Sequence, residues 1–429
     1  MKTVSNKIGV MSATEIRTRV TVLAGFSAAA TEAVARALLS TDPRLILVSH
    51  DLANVHEGVV RRTVRSADTV LESGHTELVH GCISCTLRED VLPALVRWSR
   101  QRPGSDILLA LPPAIEPEAV AAACAASAVD GRAVSDSIRL DSIVTVVEAT
   151  GFLDELASTD DLRDRGLHAA DNDDRAVADV LSRQVEFADT LVVWGSPDLD
   201  SYDNARLAAL LHRLGPWAVH ARIGDSPTVD CTTLAAQILR SGRHDPAVPG
   251  MPGRTLEGFP IGVHDPDGDH GVNALLFRSR RPFHPQRLYD ALDELTSKAL
   301  RGRGQLWIAS QSDTAIAWES AGGGLALRSL GAWLAALPSS RWDEASDMRR
   351  LAADADWDLY YGDRRTVLSF VGLGPDAAAT TSLLDSCLLT DAEIAAGQDA
   401  WHTLPDPFAG AFTPAGEHDT PPVTEQVAS

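Results

Sequence analysis

The stretch Arg19-Val20-Thr21-Val22-Leu23-Ala24-Gly25-Phe26-Ser27-Ala28-Ala29-Ala30-Thr31-Glu32-Ala33-Val34-Ala35-Arg36-Ala37-Leu38 decides the fold. Arg19–Gly25 is a mostly apolar, β-branched run suited to a buried strand. From Ala30 the apolar residues Ala30, Ala33, Val34, Ala37 and Leu38 recur at helical spacing. Strand, glycine turn and helix in that order is where a phosphate-binding loop sits. Such a loop reads G-x-x-x-x-G-K-[ST], because its backbone N–H groups close on phosphates, its lysine reaches the β/γ oxygens and its hydroxyl holds Mg²⁺. Gly25 supplies the first glycine, but Ala30, Thr31 and Glu32 stand where the second glycine, the lysine and the hydroxyl belong. No lysine lies between Lys7 and Lys298 to substitute. Glu32 also brings negative charge to a helix N-terminus that phosphate needs positive. The frame of a nucleotide-binding domain is expected, with its triphosphate chemistry removed.

Outward from this stretch the same rhythm repeats. Strand-like runs at Arg44–His50, Asp106–Leu111, Ser142–Ala149, Thr190–Trp194 and Trp217–Arg222 alternate with helical patterns. Those patterns are Glu89–Gln101, Pro117–Ala128, Asp174–Phe187, Asn204–Leu214 and Thr232–Ser241. Continuous apolar strands separated by helices predict a parallel sheet covered on both faces, with ligands at the carboxyl ends of its strands. The fold class is therefore α/β: a P-loop-like parallel-sheet domain over residues 19–241, then a linker at 242–271 rich in Pro, Gly, Asp and His. A smaller α+β domain over 272–409 follows, with strands at Val272–Arg280, Gln305–Ser310, Thr314–Ser320, Leu325–Leu330 and Thr366–Gly372 and helices at Pro285–Leu300 and Asp376–Leu389. Residues 1–18 and 410–429 read as disordered tails.

The formal net charge of -21 argues against sequence-specific nucleic-acid binding and against anionic membranes. It points instead to protein partners, basic ones above all. Five scattered cysteines, no signal-peptide core and no membrane-length apolar run suit a reducing, cytoplasmic setting.

The most specific motif is Leu78-Val79-His80-Gly81-Cys82-Ile83-Ser84-Cys85-Thr86-Leu87-Arg88-Glu89-Asp90. Two cysteines at C-x-x-C spacing before a helix can bind metal together, form a redox pair, or simply pack at a strand–helix turn. A helix N-terminus there would lower a thiol pKa. Zinc wants four ligands, and Cys82, Cys85 and His80 supply at most three. Cys124, Cys231 and Cys387 read as core. His264 and His270, with their intervening aspartates, read as solvated linker. Arg278, Arg280, Arg281, Arg364 and Arg365 read as strand and turn residues sooner than as an interaction patch.

The cysteine motif resembles the Gly-Cys-x-Cys-Cys-Thr-Leu-Arg signature of the CobW-like P-loop GTPases, a family associated with metal insertion and zinc homeostasis; Ser84 stands for the middle cysteine. Arg19–Phe26, Ser142–Leu156, Gln184–Asp189, Phe277–Pro285 and Trp357–Gly372 also resemble family segments, so the likeness covers about residues 19–409. Where that family carries an acidic Glu-x-x-Gly, this chain has Leu111-Pro112-Pro113-Ala114. Where it carries the guanine-reading Asn-Lys-x-Asp, this chain has Trp194-Gly195-Ser196-Pro197, with Asp198 one position late. The His-Gly-Cys-x-Ser-Cys-Thr-Leu-Arg form is similar to an actinobacterial branch that recruits a hibernation factor to ribosomes under zinc starvation.

The resemblance implies a pseudo-GTPase adaptor with a hibernation factor and the ribosome as partners. Its rival is a divergent GTPase that delivers zinc or another metal to a client. Gly25 and Asp198 are what remains of a nucleotide site, so GTP is doubtful as a cofactor while zinc is expected at Cys82, Cys85 and His80. No catalytic residue is assigned.

Overall fold

The computed structural model describes residues 17–412, apart from 171–172, 196–199, 223–229 and 375. Asp198 therefore lies outside the described residues.

The first half is built on an eight-stranded sheet. Its strands are β1 (Thr18–Ala24), β2 (Ile46–Asp51), β3 (Val59–Arg65), β4 (Val70–Glu77), β5 (Ile107–Ala110), β8 (Ile138–Glu148), β9 (Thr190–Trp194) and β10 (Val219–Arg222). A separate two-stranded hairpin, β6 (Ala128–Val129) and β7 (Arg132–Ala133), lies between β5 and β8. The sheet order is β10-β9-β8-β1-β5-β2-β3-β4. From β10 to β2 every pairing is parallel, and β1 sits centrally between β8 and β5.

The sheet is not parallel throughout, as the sequence reading expected. β3 and β4 extend it as an antiparallel edge hairpin. These strands escaped the sequence pattern because Val-Val-Arg-Arg-Thr-Val-Arg and Val-Leu-Glu-Ser-Gly-His-Thr-Glu bury only part of one face. Edge strands tolerate such polar composition.

The connecting helices are α1 (Ala28–Leu39), α2 (Ile83–Thr86) running through a π turn (Leu87–Val91) into α3 (Leu92–Gln101), α4 (Pro117–Ala126), α5 (Val134–Ser137), α6 (Phe152–Leu156), α7 (Val177–Glu186), α8 (Ser201–Leu214) and α9 (Cys231–Ile238). Two apolar cores result, one on each sheet face: Val22, Val48, Leu95 and Leu109 on one, Leu23, Val34, Leu47 and Val146 on the other. The alternation along β1 and β2 feeds both cores.

The second half is a six-stranded, wholly antiparallel sheet of order β11-β12-β16-β13-β14-β15. Its strands are β11 (Asp265–Asp269), β12 (Val272–Ser279), β13 (Arg301–Leu306), β14 (Thr314–Ala321), β15 (Gly324–Ala332) and β16 (Thr366–Leu373). Helices α10 (Pro285–Ser297), α11 (Asp347–Ala355), α12 (Ala377–Cys387), α13 (Asp391–Ala396) and α14 (Gln398–Trp401) accompany it.

The segment read as a linker is more than a tether. Met251 and Ile261 are buried with Val367, and Leu256 packs with Trp307 and Trp333. His264 is not merely solvated, since its Nδ1 accepts the Leu276 N–H at 3.3 Å. Four of the five arginines weighed as a patch are engaged too, Arg278 being exposed. Arg280 and Arg365 pair with Asp356 at 2.6 and 2.9 Å, Arg281 with Asp391 at 2.7 Å, and Arg364 with Asp313 at 3.1 Å. Cys124 and Cys387 are buried, while Cys231 is only partly so.

The two sheets meet through α7 and α8. Leu207, Leu210, Leu211 and Leu214 pack with Val272, Ala274 and Val371. Beneath them Glu186, fully buried at the end of α7, accepts from Arg301 Nε and Nη2 at 2.8 Å each and from Arg303 Nη1 at 2.6 Å. Arg183 reaches across to Glu319 at 2.9 Å.

Candidate functional site

Two places carry the sequence-predicted residues: the turn after β1 and the loop after β4. At the first, three consecutive alanines favour helix, and α1 begins at Ala28 with Ser27 as its cap, the Ser27 side chain accepting from the Ala30 N–H at 3.3 Å. Residues that would form the second half of a phosphate cradle are thus already helical.

Thr31, in the lysine position, turns its hydroxyl back onto the Ser27 carbonyl at 2.9 Å. It lies so close over Gly25 that a Cβ on Gly25 would fall 2.5 Å from Thr31 Oγ1 and 2.8 Å from the Val146 carbonyl oxygen. Gly25 therefore serves close packing against β8 and α1. Glu32 pairs with Arg65 of β3 and, at 3.7 Å, with Arg36.

A cavity of about 170 Å³ opens beside Phe26 and Ser27, between the end of β8 and α6 and α7. The ionisable residues on its lining are Glu148 and Glu155, so it offers an anion no cation. Leu111 and Ala114, in the acidic segment's place, are buried, and Pro113 offers its carbonyl to Gln184 Nε2 at 2.7 Å. Trp194, beside the guanine-reading position, packs against the core cluster of α1 and α9. The residues described here do not fit a triphosphate and its Mg²⁺.

At the second place, Gly81 lets the chain turn against the Val55–Glu57 turn, since a Cβ there would stand 2.2 Å from the Val55 carbonyl oxygen. Cys82 then caps α2, its Sγ accepting the Cys85 N–H at 3.4 Å, and Thr86 Oγ1 donates to the Cys82 carbonyl at 3.0 Å. Cys85 is buried, with its Sγ 3.9 Å from His80 Nδ1 and 3.4 Å from the Arg88 Nη2 that donates to it.

The fold brings His80 and Cys82 each into contact with Cys85. Among the described residues no group of three or more His, Cys, Asp or Glu is gathered to hold a metal ion at once. Their chemistry suits zinc, which takes thiolate, imidazole and carboxylate. The expected thiol activation is overturned at Cys85: burial pushes its pKa up, and the hydrogen bond and charge of Cys82 push it further the same way.

Sequence reasoning missed the residues that hold this loop. Glu89, one helical turn after Cys85, accepts the Val79 N–H at 2.9 Å and pairs with Arg88 at 2.8 Å. The Arg88 hydrogen bond first, and that backbone bond next, hold its carboxyl below the usual range. The spacing of 85 and 89 was the one available signal.

Asp90 follows on the π turn, where the Leu92 N–H reaches back to the Leu87 carbonyl. It is fully buried and takes His50 Nε2 at 3.2 Å, Thr76 Oγ1 at 2.7 Å and Arg62 Nη1 at 2.6 Å. Burial would raise its carboxyl, but the hydrogen bonds from His50 and Thr76 and the charges of His50 and Arg62 bring it down to about 2. Arg62 continues to Glu72 at 2.6 Å, and Glu72 accepts from Arg97 at 2.8 Å and Trp98 Nε1 at 3.0 Å. The cysteine helix is thereby bolted to the β3–β4 hairpin.

Comparison with known proteins places both halves. Residues 20–218 match the CobW/HypB/UreG nucleotide-binding domain, and residues 272–388 match the cobalamin synthesis protein cobW C-terminal domain. The zinc chaperone Rv0106 of Mycobacterium tuberculosis is 35% identical over 368 residues, covering 82% of this chain and 84% of its own. The zinc-regulated GTPase metalloprotein activator 1 of Dictyostelium discoideum is 27% identical over 407 residues, covering 91% of this chain and 83% of its own. Among solved structures, Zn(II)-bound YjiA GTPase from E. coli aligns over 87% of this chain and 99% of its own, at 11% identity and a TM-score of 0.36. With both domain types present in order and a relative at 35% identity across most of its length, the chain belongs to the CobW family.

Proposed function

We propose that this chain handles zinc as a protein of CobW metallochaperone type, and that its nucleotide half has become a non-hydrolysing scaffold. The observation that carries the second part is Thr31: its hydroxyl is turned onto Ser27 over Gly25, where a phosphate loop would place its lysine. Zinc enters this reading as cargo. The names of two relatives, a zinc chaperone and a zinc-regulated activator of metalloproteins, support that role and a protein client. Cys82 and Cys85, with His80 and Glu89 around them, are the donors proposed to meet the metal. On this reading the protein is an adaptor of the zinc-starvation response that brings a hibernation factor to ribosomes.

Two measurements test the proposal. Purified protein titrated with a fluorescent GTP analogue and assayed for Mg²⁺-dependent turnover is expected to show neither tight binding nor hydrolysis. Affinity purification from zinc-starved cells is expected to recover ribosomes and a hibernation factor. Tight nucleotide binding with turnover would favour the second reading, a divergent GTPase that loads zinc into a client, which the name of the Dictyostelium relative supports.

A further inference from the structure

One arginine at the junction of the two sheets has no counter-charge. Arg254 is only 5% exposed, yet its side chain makes no hydrogen bond or ion pair among the described residues, and its Nε is buried without an acceptor. Its guanidinium carbon lies 3.9 Å from the centre of the Trp217 ring. A ring face attracts a cation but does not replace the partner that a buried charge needs.

The polar groups around Arg254 are donors as well. Arg303 approaches the same ring, at 5.6 Å from its centre, and its Nε is buried without an acceptor. Ser369 stands opposite Arg303 in the pairing of β13 with β16, and its hydroxyl is buried and unpartnered. Gly262 packs against both, since a Cβ there would fall 2.6 Å from Ser369 Oγ and 3.4 Å from Arg303 Nη2. Gln305 lies two residues along the same face of β13. Its Oε1 accepts from Thr255 Oγ1, next in sequence to Arg254, at 2.8 Å, which leaves its Nε2 buried and unpartnered.

Charge and hydrogen-bond sense together decide the occupant. Arg301 and Arg303 share Glu186, and Arg301 has Asp179 and Glu319 besides. Glu118 does not serve Arg254. It sits against Gly250, where a Cβ would collide with its Oε1, and burial pushes its carboxyl up, whereas a guanidinium partner would draw it down. Burial and the charge of Arg303 push the Arg254 guanidinium down to about 10. A water molecule could accept two of these donors but would need acceptors for its own hydrogens. An anion accepts from all of them and brings the missing charge. Met251, Ile261 and Val367 form an apolar cluster against Trp217, so an ion here sheds its hydration, at far lower cost for a monovalent ion than for a dianion. We propose that Arg254, Arg303, Gln305 and Ser369 form a buried site for one small monovalent anion of the chloride type, which ties segment 242–271 to the second sheet. The site is independent of the zinc reading.

The test uses the full chain at a constant ionic strength of about 0.3 M, with gluconate, too bulky for a closed site, replaced stepwise by chloride. The wild-type melting temperature is expected to rise by about 2 °C or more. Arg254→Met removes the unpaired charge, so it is expected to fold and to lose this response. Glu118→Gln is expected to enlarge the response, because it removes a nearby negative charge. Crystals of the wild-type chain soaked in bromide are expected to show an anomalous peak within hydrogen-bond reach of Arg254. The same chloride response in wild type and Arg254→Met overturns the proposal. So does a wild type indifferent to chloride beside a Glu118→Gln variant that responds, because Glu118 would then be the counter-charge. If Arg254→Met does not fold, the bromide crystal decides, and a missing peak overturns the site.

Discussion

Replacing Glu186 by glutamine should weaken the junction of the two sheets. The carboxylate is fully buried and receives three charge-assisted hydrogen bonds, two from Arg301 at 2.8 Å and one from Arg303 at 2.6 Å. Removing one partner of a buried ion pair costs about 3–5 kcal/mol, because the charge left behind has no solvent. Arg301 keeps Asp179 at 3.1 Å and Glu319 at 3.3 Å, whereas Arg303 keeps the carbonyls of Leu214 and Arg213 and the Trp217 ring but no carboxylate among the described residues. The residual acceptors place the expected cost near the lower bound, about 3 kcal/mol.

Urea unfolding followed by tryptophan fluorescence reads this directly. Trp217 donates to the Glu186 carbonyl at 3.0 Å and carries Arg254 over its ring at 3.9 Å. Replacing Arg303 by methionine in the Glu186→Gln background should recover part of the loss, since it removes the stranded charge. Acid should act in the same direction. Burial would raise the Glu186 carboxyl, but Arg301 and Arg303 hold it below its ordinary range. Its contribution is therefore complete above that range and declines as pH falls, and Glu186→Gln should flatten that decline. A Glu186→Gln midpoint equivalent to wild type within about 0.5 kcal/mol would refute the reasoning.

Three further outcomes are expected. Cys82→Ser/Cys85→Ser should abolish stoichiometric zinc binding by calorimetry while leaving the apo melting temperature nearly unchanged; zinc binding like wild type would move the site elsewhere, and unfolding would make the pair structural. Gly81→Ala sets a Cβ 2.2 Å from the Val55 carbonyl oxygen, so it should cost about 1–3 kcal/mol in thermal melts and lower zinc affinity by displacing Cys82. Asp90, brought from an ordinary 3.8 down to about 2, should contribute about 2 kcal/mol that is complete above pH 4 and lost as pH falls toward 2. Asp90→Asn should remove that dependence in acid titrations followed by hydrogen exchange of β3 and β4.

The legible part of the fold was the part written in apolar periodicity. Val20, Val22, Leu47, Leu109 and Val144 are fully buried, and their runs announce strands without reference to anything distant. Strand β13 was read four residues too late, at Gln305–Ser310 in place of Arg301–Leu306, for the opposite reason: Arg301-Gly302-Arg303-Gly304 has the composition of a turn. Its arginines lie inside because Glu186, more than a hundred residues earlier, is there to receive them. Its glycines are needed because a Cβ at Gly304 would stand 2.0 Å from the Val367 carbonyl oxygen, and one at Gly302 2.8 Å from Trp318 Nε1. At the cysteine loop the motif itself was visible from spacing. The contact of His50 with Asp90 was not, because β2 and the π turn lie forty residues apart in sequence and meet through the tertiary fold.

On the proposed scaffold reading, the turn after β1 shows why the departures from a phosphate loop cannot be treated as a set of separate substitutions. Thr31 is bonded to Ser27 and packed over Gly25, while Glu32 is paired with Arg65 and Arg36. Each replacement has acquired a contact that helps hold α1 to β3 or to the end of β1. Restoring a lysine at residue 31 alone would break the hydroxyl bond to Ser27 and bring a long cation over Gly25. It would still meet a helix that starts at Ala28 in place of a loop. The backbone N–H groups of residues 28–30 would have to leave the helix before they could converge on a phosphate. On that reading, nucleotide chemistry at this turn requires the loop first and the lysine second, and the three alanines that build this helix oppose the first step.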